Sequence, residues 1–358
     1  MEWGVFNLEE LFGKSTRGKR LKSEDRISGT LPFVTAGEKD EGISAFIGND
    51  VTVFSENTIT IDMFGSAKYR NYKYGCDDHI AVVHTQKLPK PVAIFITSAI
   101  HKKSYTGEFH YGRNFYAKDA DTLNISLPTN NGKIDFEFME SFIAELEAER
   151  IAELEAYLLA TGLKDYTLTD EEKQVLDDFE NEQFEEFNIV DLFEVKNSGS
   201  ILSRDIIENS GKTPYLCASG ENNAVSSYIS YDEKYLDKGN CVFIGGKTFV
   251  VTYQEKDFYS NDSHNLVLYL KNEEKITKLN QLYLATCINR SLGYKYSWGD
   301  SISNKKIQKD KVSLPTQNNQ PNYAIMETFI SAIQKLVIKD VVLYADRKIA
   351  ATKTVVNK

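Results

Sequence analysis

The chain has few of the residues that build disulfide frameworks and metal centres. Its four cysteines are Cys76, Cys217, Cys241 and Cys287. They lie far apart without a CxxC pair, which favours buried free thiols in a reducing cytoplasm. Of only five histidines, His79 and His264 occupy matching places before similar apolar segments. A metal site at either would need more ligands than its neighbourhood offers, so we expect turn histidines and no metal.

Long apolar runs and targeting segments are also missing. No run approaches the ~18 apolar residues that indicate a membrane-spanning helix. The opening MEWGVFNLEELFGK is acidic and lacks the basic flank and apolar centre of a signal peptide. Since the hydrophobic content of 41% and the charged content of 26% are ordinary for a soluble protein, we expect a cytoplasmic location.

The familiar motifs of nucleotide binding and catalysis are absent from the sequence. GKT occurs twice, at residues 211–213 and 246–248, but Ile206 and Cys241 stand where the first glycine of a phosphate-binding loop belongs. There is no GxGxxG, no GxSxG and no NPPY methyltransferase motif. An ExK sequence at residues 171–173 has no aspartate-bearing strand before it. We therefore predict that the chain performs no chemistry.

What the sequence does contain is a long internal repeat. The matching segments are FNLEELF and FNIVDLF, PFVTAGE and PYLCASGE, SLPTNNG and SLPTQNN, and MESFIAEL and METFISAI. Solenoid repeats recur every ~20–50 residues because each is one supersecondary unit. The offset here runs from 181 to 187 residues, which indicates a duplicated domain with its own core in each copy.

Each copy has β character first and helices afterwards. Segments 51–64 and 239–254 are rich in β-branched and aromatic residues, and helical patterns follow at 91–103 and 280–292. A long helix then ends each copy, and Gly162 is a typical stop for the first of them. The fold class is therefore α/β (α+β), with two tandem similar domains. The predicted domains are 1–135 and 185–320, with a central helix and acidic connector at 136–184 and a C-terminal helix at 321–358.

The two long helices carry narrow apolar stripes, which are typical of helices that pack against one another. The first helix is acidic and the second has a basic end, at Arg347, Lys348, Lys353 and Lys358, so opposite charges favour their pairing. The alternative is that each helix caps its own domain. The residues predicted at a helix–helix interface are Met139, Phe142, Leu146, Met326, Ile330, Ile333 and Val337.

The acidic residues are concentrated between the two copies. Residues 137–194 hold 19 acidic and three basic side chains, whereas the rest of the chain holds 33 acidic and 39 basic ones. Within this region, Thr169 and a following glutamate have the spacing of a helix-capping box, and Val175, Leu176 and Phe179 supply a thin apolar face. We predict a solvated linker helix, with a flexible acidic tether as the alternative.

Several loops interleave basic and aromatic residues, a pattern that predicts DNA binding. Lys and Arg neutralise phosphates, Arg, Lys and Asn contact base edges, and Tyr and Trp pack on sugars or bases. For any single loop, a solvated polar loop is the alternative. The predicted residues of the first copy are Lys14, Arg17, Lys19, Arg20, Lys68, Arg70, Lys73, Lys102, Lys103, Tyr105, Tyr111 and Arg113. Those of the second copy are Lys247, Lys295, Tyr296, Trp298, Asn304, Lys305 and Lys306.

Two of these arginines, Arg70 and Arg113, are expected to contact bases, because a planar guanidinium matches the edge of guanine. The loops of the two copies align around Tyr111-Gly112 and Trp298-Gly299 yet share few other side chains. A shared frame with divergent loops favours two modules that recognise two different targets.

The ordered repetition of FNLEELF-type openings, P-[FY]-[VL] strands and long helices resembles the DNA-specificity (S) subunits of restriction–modification systems, over almost the full chain. The resemblance implies that each domain recognises one half of a split, asymmetric DNA site in double-stranded DNA. It also implies an antiparallel coiled-coil spacer with pseudo-twofold symmetry that sets the distance between the halves. The acidic insert 165–186 is longer than a minimal connector, a departure that affects the expected inter-domain geometry.

The same resemblance assigns methylation and cleavage to partner subunits, with no cofactor in this chain. S-adenosylmethionine and Mg²⁺ are expected in those partners. The compact length and the closing KLVIKDVVLYADRKIAATK are more similar to type IIB S subunits, whose partner is a fused nuclease–methyltransferase. A type I system with separate subunits is the alternative. Two other functions stay open: a protein-binding adaptor with duplicated modules, and a duplicated β-rich hydrolase.

Overall fold

The computed structural model describes residues 1–356, with side chains as far as residue 351, so Lys353 and Lys358 of the predicted basic end lie outside the described side chains. The chain divides into two compact units. The first contains Met1–Leu154 together with the end of the C-terminal helix from Lys348, and the second contains Glu155–Arg347. Each unit contains one copy of the repeat. No helix in the described part of the chain is long and apolar enough to cross a membrane.

The first unit is built from small sheets and the helices that cover them. Its strands are β1 (Glu2–Asn7), β2 (Thr16–Arg17), β3 (Ser28–Val34), β4 (Ile43–Ile47), β5 (Thr58–Ile61), β6 (Ala67–Arg70), β7 (Gly75–Cys76), β8 (Ala81–Val83), β9 (Asn124–Asn130) and β10 (Lys133–Ile134). Its helices are α1 (Leu8–Phe12), α2 (Lys90–Ser104), α3 (Ala117–Asp121) and the greater part of α4 (Phe136–Ala160). The strand orders are β1-β9-β10, β2-β8-β5-β6 and β4-β3-β7.

The second unit repeats this plan. Its strands are β11 (Phe184–Asn188), β12 (Phe193–Asn197), β13 (Thr213–Leu216), β14 (Val225–Ile229), β15 (Cys241–Ile244), β16 (Val251–Gln254), β17 (Tyr259–Ser260), β18 (Leu266–Leu270), β19 (Lys311–Gln317) and β20 (Gln320–Pro321). Its helices are α5 (Asp170–Asp178), α6 (Ile189–Leu192), α7 (Lys278–Leu292), α8 (Asn304–Ile307) and most of α9 (Tyr323–Val356). The strand orders are β11-β19-β20, β12-β18-β15-β16 and β14-β13-β17.

The three sheets correspond one to one between the units. In each unit, one three-stranded sheet combines an antiparallel pair with a parallel pair, at Phe33↔Gly75 in the first and Tyr215↔Tyr259 in the second. FNLEELF forms the end of β1 and α1, and FNIVDLF forms the end of β11, α6 and the first residue of β12. The prediction of two tandem similar α/β domains is confirmed, and the domain boundaries stay predictions.

The core of the first unit lies between the β5-containing sheet and helix α2. Pro91 in the first turn suits the start of α2, because the missing N–H of proline would have no partner there. Val92, Ile96 and Ile100 then recur every four residues on one buried face. The second unit repeats this arrangement with α7 and β18. Burial of these apolar faces is the main force that holds α2 and α7 in place.

The long helices differ in part from the prediction. Helix α4 begins at Phe136, because Lys133–Ile134 pair with β9 as strand β10, and Gly162 ends it with a φ of 72°, a left-handed conformation that suits glycine. Met139 and Met326 are fully buried in the cores of their own units. Each helix therefore caps its own domain at its first turns, and the interface role predicted for these two methionines is wrong.

The other residues predicted at the helix–helix interface range from packed to largely exposed. Phe142 packs on Phe95 and Phe138 in the first unit, and Ile330 packs against the core of the second. Leu146 is 40% exposed. Ile333 is half-buried and Val337 is 74% exposed, and their role at a helix–helix interface stays a prediction.

Charged groups near the far ends of α4 and α9 do form pairs inside each unit. In the first unit the Lys348 ammonium lies 3.1 Å from the Glu147 carboxylate. In the second, Lys164 bridges Glu155 and Asp346 at 2.7 and 2.6 Å. These contacts agree with the opposite charges seen in the sequence, and the antiparallel coiled coil stays a prediction.

The acidic connector forms helix α5, and that helix is packed rather than solvated. The Thr169 hydroxyl accepts from the Glu172 N–H (3.1 Å), and the Glu172 carboxylate accepts from the Thr169 N–H (2.8 Å), which confirms the capping box. Glu172 is 5% exposed, and it accepts hydrogen bonds from Ser331 and Lys335 of α9. The predicted helix is present, but the expectation that it is solvated is wrong.

Candidate nucleic-acid interface

Corresponding turns in the two units present an exposed aromatic ring at their tips. In the first unit, His110 and Arg113 bond to each other's backbone at 3.0 and 2.8 Å, and Tyr111 between them is 84% exposed. In the second unit, Ser297 and Asp300 form the same pair of bonds at 3.2 and 3.1 Å. Trp298 in that turn is 75% exposed.

The two turns therefore match in backbone and differ in side chains, as the alignment around Tyr111-Gly112 and Trp298-Gly299 predicts. Tyr294 of the second unit is a further exposed ring of the same loop, at 87%, which the sequence-based selection left out. Rings that the fold leaves in solvent are available to pack on sugars or bases. Different rings on one backbone frame are suited to different targets.

A buried carboxylate shapes the loop on which the first turn rests. Asp62 is 4% exposed and accepts from the N–H groups of Phe64 and Ser66, both at 3.0 Å. Gly65 has a φ of 87°, and a Cβ there would lie 2.2 Å from the Ser104 carbonyl oxygen. Only glycine fits this close approach to the end of α2.

Loops of the first unit that carry predicted DNA-binding residues meet beside Gly65, at the end of α2. The Ser104 hydroxyl at the end of α2 donates to the Gly65 carbonyl (2.6 Å). The Phe115 N–H donates to the Met63 carbonyl (2.9 Å), and the Tyr111 ring meets the Phe64 ring edge-on at 5.3 Å. Tyr105, 46% exposed, has its ring centroid 4.8 Å from that of His101. Loops 62–66 and 101–116 thus form one surface.

Arg70 does not belong to that surface. Arg70 is 1% exposed, and its guanidinium donates to the Thr60 hydroxyl, the Tyr72 hydroxyl and the Glu41 carbonyl at 2.8–2.9 Å. Because the group is buried and each of its three nitrogens has a partner inside the fold, it has no free edge for a base, so the prediction for Arg70 is wrong. The side chain of Lys68 is only 14% exposed, pairs with Glu38 at 3.2 Å and donates to the Ser66 hydroxyl at 2.8 Å, so it can contact DNA only in competition with these partners.

In the second unit, Tyr296 is also internal. It is 5% exposed, and its hydroxyl donates to the buried Asp310 carboxylate. Burial, and then this bond, raise the pKa of Tyr296. Lys295 pairs with the same carboxylate. The prediction that Tyr296 contacts DNA is wrong.

Three more predicted residues of the second unit have partners within the fold. Asn304 donates to the Val195 carbonyl (3.3 Å) and to the Asn197 side chain (3.1 Å). The side chains of Lys247 and Lys306 are 53% and 44% exposed, and each pairs with an aspartate. Arg113 of the first unit has a comparable position, since its 57% exposed side chain pairs with Glu108 at 2.6 Å. These four can reach a ligand only in competition with a partner they already have.

The other predicted cations are exposed and form no salt bridge within the part of the chain whose side chains are described. They are Lys14, Arg17, Lys19, Arg20, Lys73, Lys102, Lys103 and Lys305. The first four of these cations, Lys14 to Arg20, lie on or beside strand β2. That strand is fixed to the sheet because Thr16 and Arg17 pair with Val82 and Ala81 of β8. A Cβ at Gly18 would lie 1.7 Å from the Cys76 carbonyl oxygen, so glycine is required for this loop to lie against the sheet.

Clustered carboxylates and cysteine thiols are the groups that bear on metal binding and nucleophilic chemistry. Asp77, Asp78 and His79 bring ligand atoms within 4.8 Å of one another, but adjacent acidic residues alone do not define a metal site, and the absence of a metal stays a prediction. Burial raises the pKa of the Cys76 and Cys287 thiols to about 12. Thiols held in this way are poor nucleophiles, because the thiolate is the reactive form.

Two α/β modules of one topology, with different exposed rings at corresponding turns, define a duplicated recognition protein. The chain belongs to the type I restriction modification DNA specificity domain family, which matches residues 1–156 and again residues 181–343. It therefore carries two DNA specificity domains of the kind found in restriction–modification systems, and the resemblance noted from the sequence is confirmed.

Two similar proteins give this family assignment its context. The chain is 28% identical over 153 residues to the type II restriction enzyme BgcI specificity subunit S.BcgI of Heyndrickxia coagulans, a match that spans 41% of this chain and 44% of that protein. It also has the fold of the type I restriction–modification S subunit from M. genitalium. That similarity has a TM-score of 0.60 at 14% identity, over 99% of this chain and 94% of the other.

Proposed function

We propose that the chain is the DNA-binding specificity subunit of a restriction–modification complex in the cytoplasm. Each domain recognises one half of a bipartite, asymmetric site in double-stranded DNA. Helices α4 and α9 set the spacing of the halves as an antiparallel pair. The observation that carries this proposal is the pair of corresponding turns, which share a backbone frame and present Tyr111 in one unit and Trp298 in the other.

The exposed side chains form two groups, which we assign to different parts of the DNA. The exposed cations at Arg17, Lys19 and Arg20 are suited to phosphates, because a phosphate contact needs charge and no particular orientation. In this proposal, residues of the two turns contact bases or sugars, with Arg113 as the candidate for guanine. Discrimination between DNA sequences then comes from the two turns. Affinity for any DNA comes from the basic loop, which contains Arg17, Lys19 and Arg20.

Methylation and cleavage belong to partner subunits in this proposal, and the chain itself is not an enzyme. The partners would bind S-adenosylmethionine and Mg²⁺. A fused nuclease–methyltransferase is the favoured partner, in keeping with the type II specificity subunit to which the chain is similar, and a type I set of separate subunits is the second form. The two forms differ in which subunits copurify with the chain.

Domain exchange combined with methylation mapping tests the proposal. The host genome is sequenced for modified bases with the gene intact, with the gene deleted, and with residues 1–135 replaced by the same domain of another family member. We expect the deletion to remove one bipartite methylation motif and the exchange to alter one half of it only. A motif that survives deletion, or an exchange that alters both halves together, would show the proposal to be wrong.

A further inference from the structure

An apolar groove lies open on the first unit, lined by residues of β1, α2 and α4. Trp3 of β1, Phe95 of α2 and Phe142 with Leu146 of α4 line a space of about 550 Å³. Trp3 is 57% exposed, Phe142 44% and Leu146 40%. Large apolar side chains gathered in one exposed groove are typical of a surface that another chain covers.

The second unit has the same groove at the same places in its fold. Trp3 pairs with Pro128 of β9, and Phe184 pairs with Pro315 of β19 in the same way. The remaining lining residues also correspond: Phe95 to Tyr283, Lys102 to Arg290, Phe142 to Phe329 and Ile143 to Ile330. This second groove measures about 360 Å³.

In the second unit the acidic connector places one aromatic side chain, Phe179, in the groove. The Phe179 ring, directly after α5, stacks on Phe329 with centroids 3.9 Å apart and meets Phe184 edge-on at 6.0 Å. Earlier in α5, the buried Glu172 accepts from Ser331 and Lys335. The side chain that enters this groove is therefore an aromatic residue that directly follows an acidic helix, and the helix itself is held on α9.

We propose that the groove of the first unit binds an acidic, amphipathic helical segment ending in an aromatic residue, supplied by a separate partner chain. Charge complementarity supports this occupant. Lys102 and Lys103 lie at the groove, both exposed, and Ala144 and Ala148 stand where the second unit has Ser331 and Lys335. Acidic groups of the incoming helix would therefore meet the end of α2 and not α4.

A separate chain is a better source than a second copy of this one. The connector of this chain is already held in its own unit by the Phe179–Phe329 stack and the buried Glu172–Lys335 pair. A second copy would have to give up both contacts to donate its connector. The inference deepens the proposed function, since it names the surface at which a catalytic subunit docks, and it rests on that function only for the identity of the partner.

The test uses a fluorescein-labelled peptide with the sequence of residues 168–183, LTDEEKQVLDDFENEQ, titrated into the full-length chain by fluorescence anisotropy. A matched peptide with Phe179→Ala is the ligand control. We expect the first peptide to bind and the second to bind at least tenfold more weakly. Equal affinity of the two peptides, or no binding of the first up to millimolar concentration, would overturn the proposal.

Variants of the protein locate the site. Leu146→Glu and the double change Lys102→Glu with Lys103→Glu should each weaken peptide binding at least tenfold. Val337→Glu, on the exposed face of α9, is the matched control and should change it less than twofold. The double lysine change alters exposed side chains only, so it tests the site even if Leu146→Glu fails to fold. Unaltered peptide affinity in the lysine variant would overturn the proposal.

Two further measurements are needed. One distinguishes a separate partner chain from a second copy of this chain, and the other distinguishes the groove assignment from the proposed DNA-binding function. Sedimentation of the full chain at micromolar concentration should show a monomer, and a dimer abolished by Leu146→Glu would overturn the choice of a separate chain. The affinity of the same protein preparation for duplex DNA is the second measurement. Since the peptide titration contains no DNA, a chain that binds the peptide but never binds DNA would contradict the proposed function and leave the groove assignment standing.

Discussion

At the residue scale, the partners of each basic side chain decide what it can bind. Arg70 and Arg113 have the same chemistry and similar local sequence, yet Arg70 is buried with its donors satisfied, whereas Arg113 lies on an exposed turn. A buried guanidinium that loses its partners would be left unsatisfied at high cost. Arg70 therefore stabilises the fold, and the exposed cations are the ones that can contact DNA.

This division makes Arg70→Ala a stability variant. The change removes three buried hydrogen bonds and leaves a cavity, so it should lower the free energy of unfolding by about 2–4 kcal/mol. Arg113→Ala, which removes an exposed ion pair, should lower it by less than about 1 kcal/mol. Urea denaturation of the full chain measures both. A stable Arg70→Ala variant with weakened DNA binding would contradict the assignment.

The basic loop before β3 predicts a specific salt dependence. Combined Arg17→Ala, Lys19→Ala and Arg20→Ala changes should weaken binding to every duplex alike. They should also reduce the slope of log K against log salt by roughly 0.9 for each phosphate that is no longer neutralised, because fewer counterions are released. Mobility shift at several salt concentrations gives the slope. Lys234→Ala, an exposed lysine already paired with Asp232, is the control, and an equal change in that control would contradict the prediction.

At the scale of elements, the connector is held by tertiary contacts more than by its own helical propensity. Isolated helices as short as α5 are marginal in water. The capping box supplies a start at Thr169, and the buried Glu172 and the stacked Phe179 join the helix to α9. The connector is thus part of the second unit.

Glu172 gives this contact a pH dependence. Burial alone would raise the pKa of Glu172. The hydrogen bonds donated by Lys335 and Ser331, and by the Thr169 N–H, outweigh burial and lower that pKa to about 2. Because the folded-state pKa lies below the usual value of 4.5, the stabilisation is complete above that value. It is lost as the pH falls towards 2.

Glu172→Gln should therefore lower the free energy of unfolding by about 1–3 kcal/mol at neutral pH. It should also flatten the decline in stability between about pH 5 and pH 2. Thermal unfolding across that range checks both effects. Glu171→Gln, at an exposed neighbouring position, is the matched control. If the two variants have the same pH profile, Glu172 does not supply the contact.

At the scale of the whole molecule, duplication followed by divergence of the loops explains the architecture. The three sheets keep their strand order in both units, so the scaffold is shared and the exposed turns are free to differ. Turn residues on a rigid sheet scaffold can change without disturbing the core. Two domains of one family in one chain are suited to a target with two unlike halves.

The last prediction follows from the proposal that partner subunits carry out methylation. The purified chain, incubated with S-adenosylmethionine and duplex DNA, should transfer no methyl group, because its sequence carries no methyltransferase motif. Addition of the methyltransferase partner should restore transfer at the bipartite site. Incorporation of labelled methyl groups into DNA measures both reactions, and transfer by the chain alone would contradict the prediction.

The sequence alone determined the features that depend on local spacing. The repeated segments predicted two domains of one topology, the Thr169–Glu172 spacing predicted the capping box, and Gly162 predicted the end of α4. Each of these rests on hydrogen bonds or periodicity within a few residues, or on similarity between the copies, so no knowledge of distant neighbours is needed. The alignment around Tyr111-Gly112 also predicted the corresponding turns.

Only the tertiary structure decided which side chains are left for a ligand. Arg70 and Tyr296 match a DNA-binding pattern, but distant segments fold over them and use their polar groups. Met139 fits a helix–helix stripe, yet it completes the core of its own domain. The connector looked solvated until Glu172 met its partners on α9. Burial is a property of neighbours far away in the chain, and a pattern of residue types does not contain it.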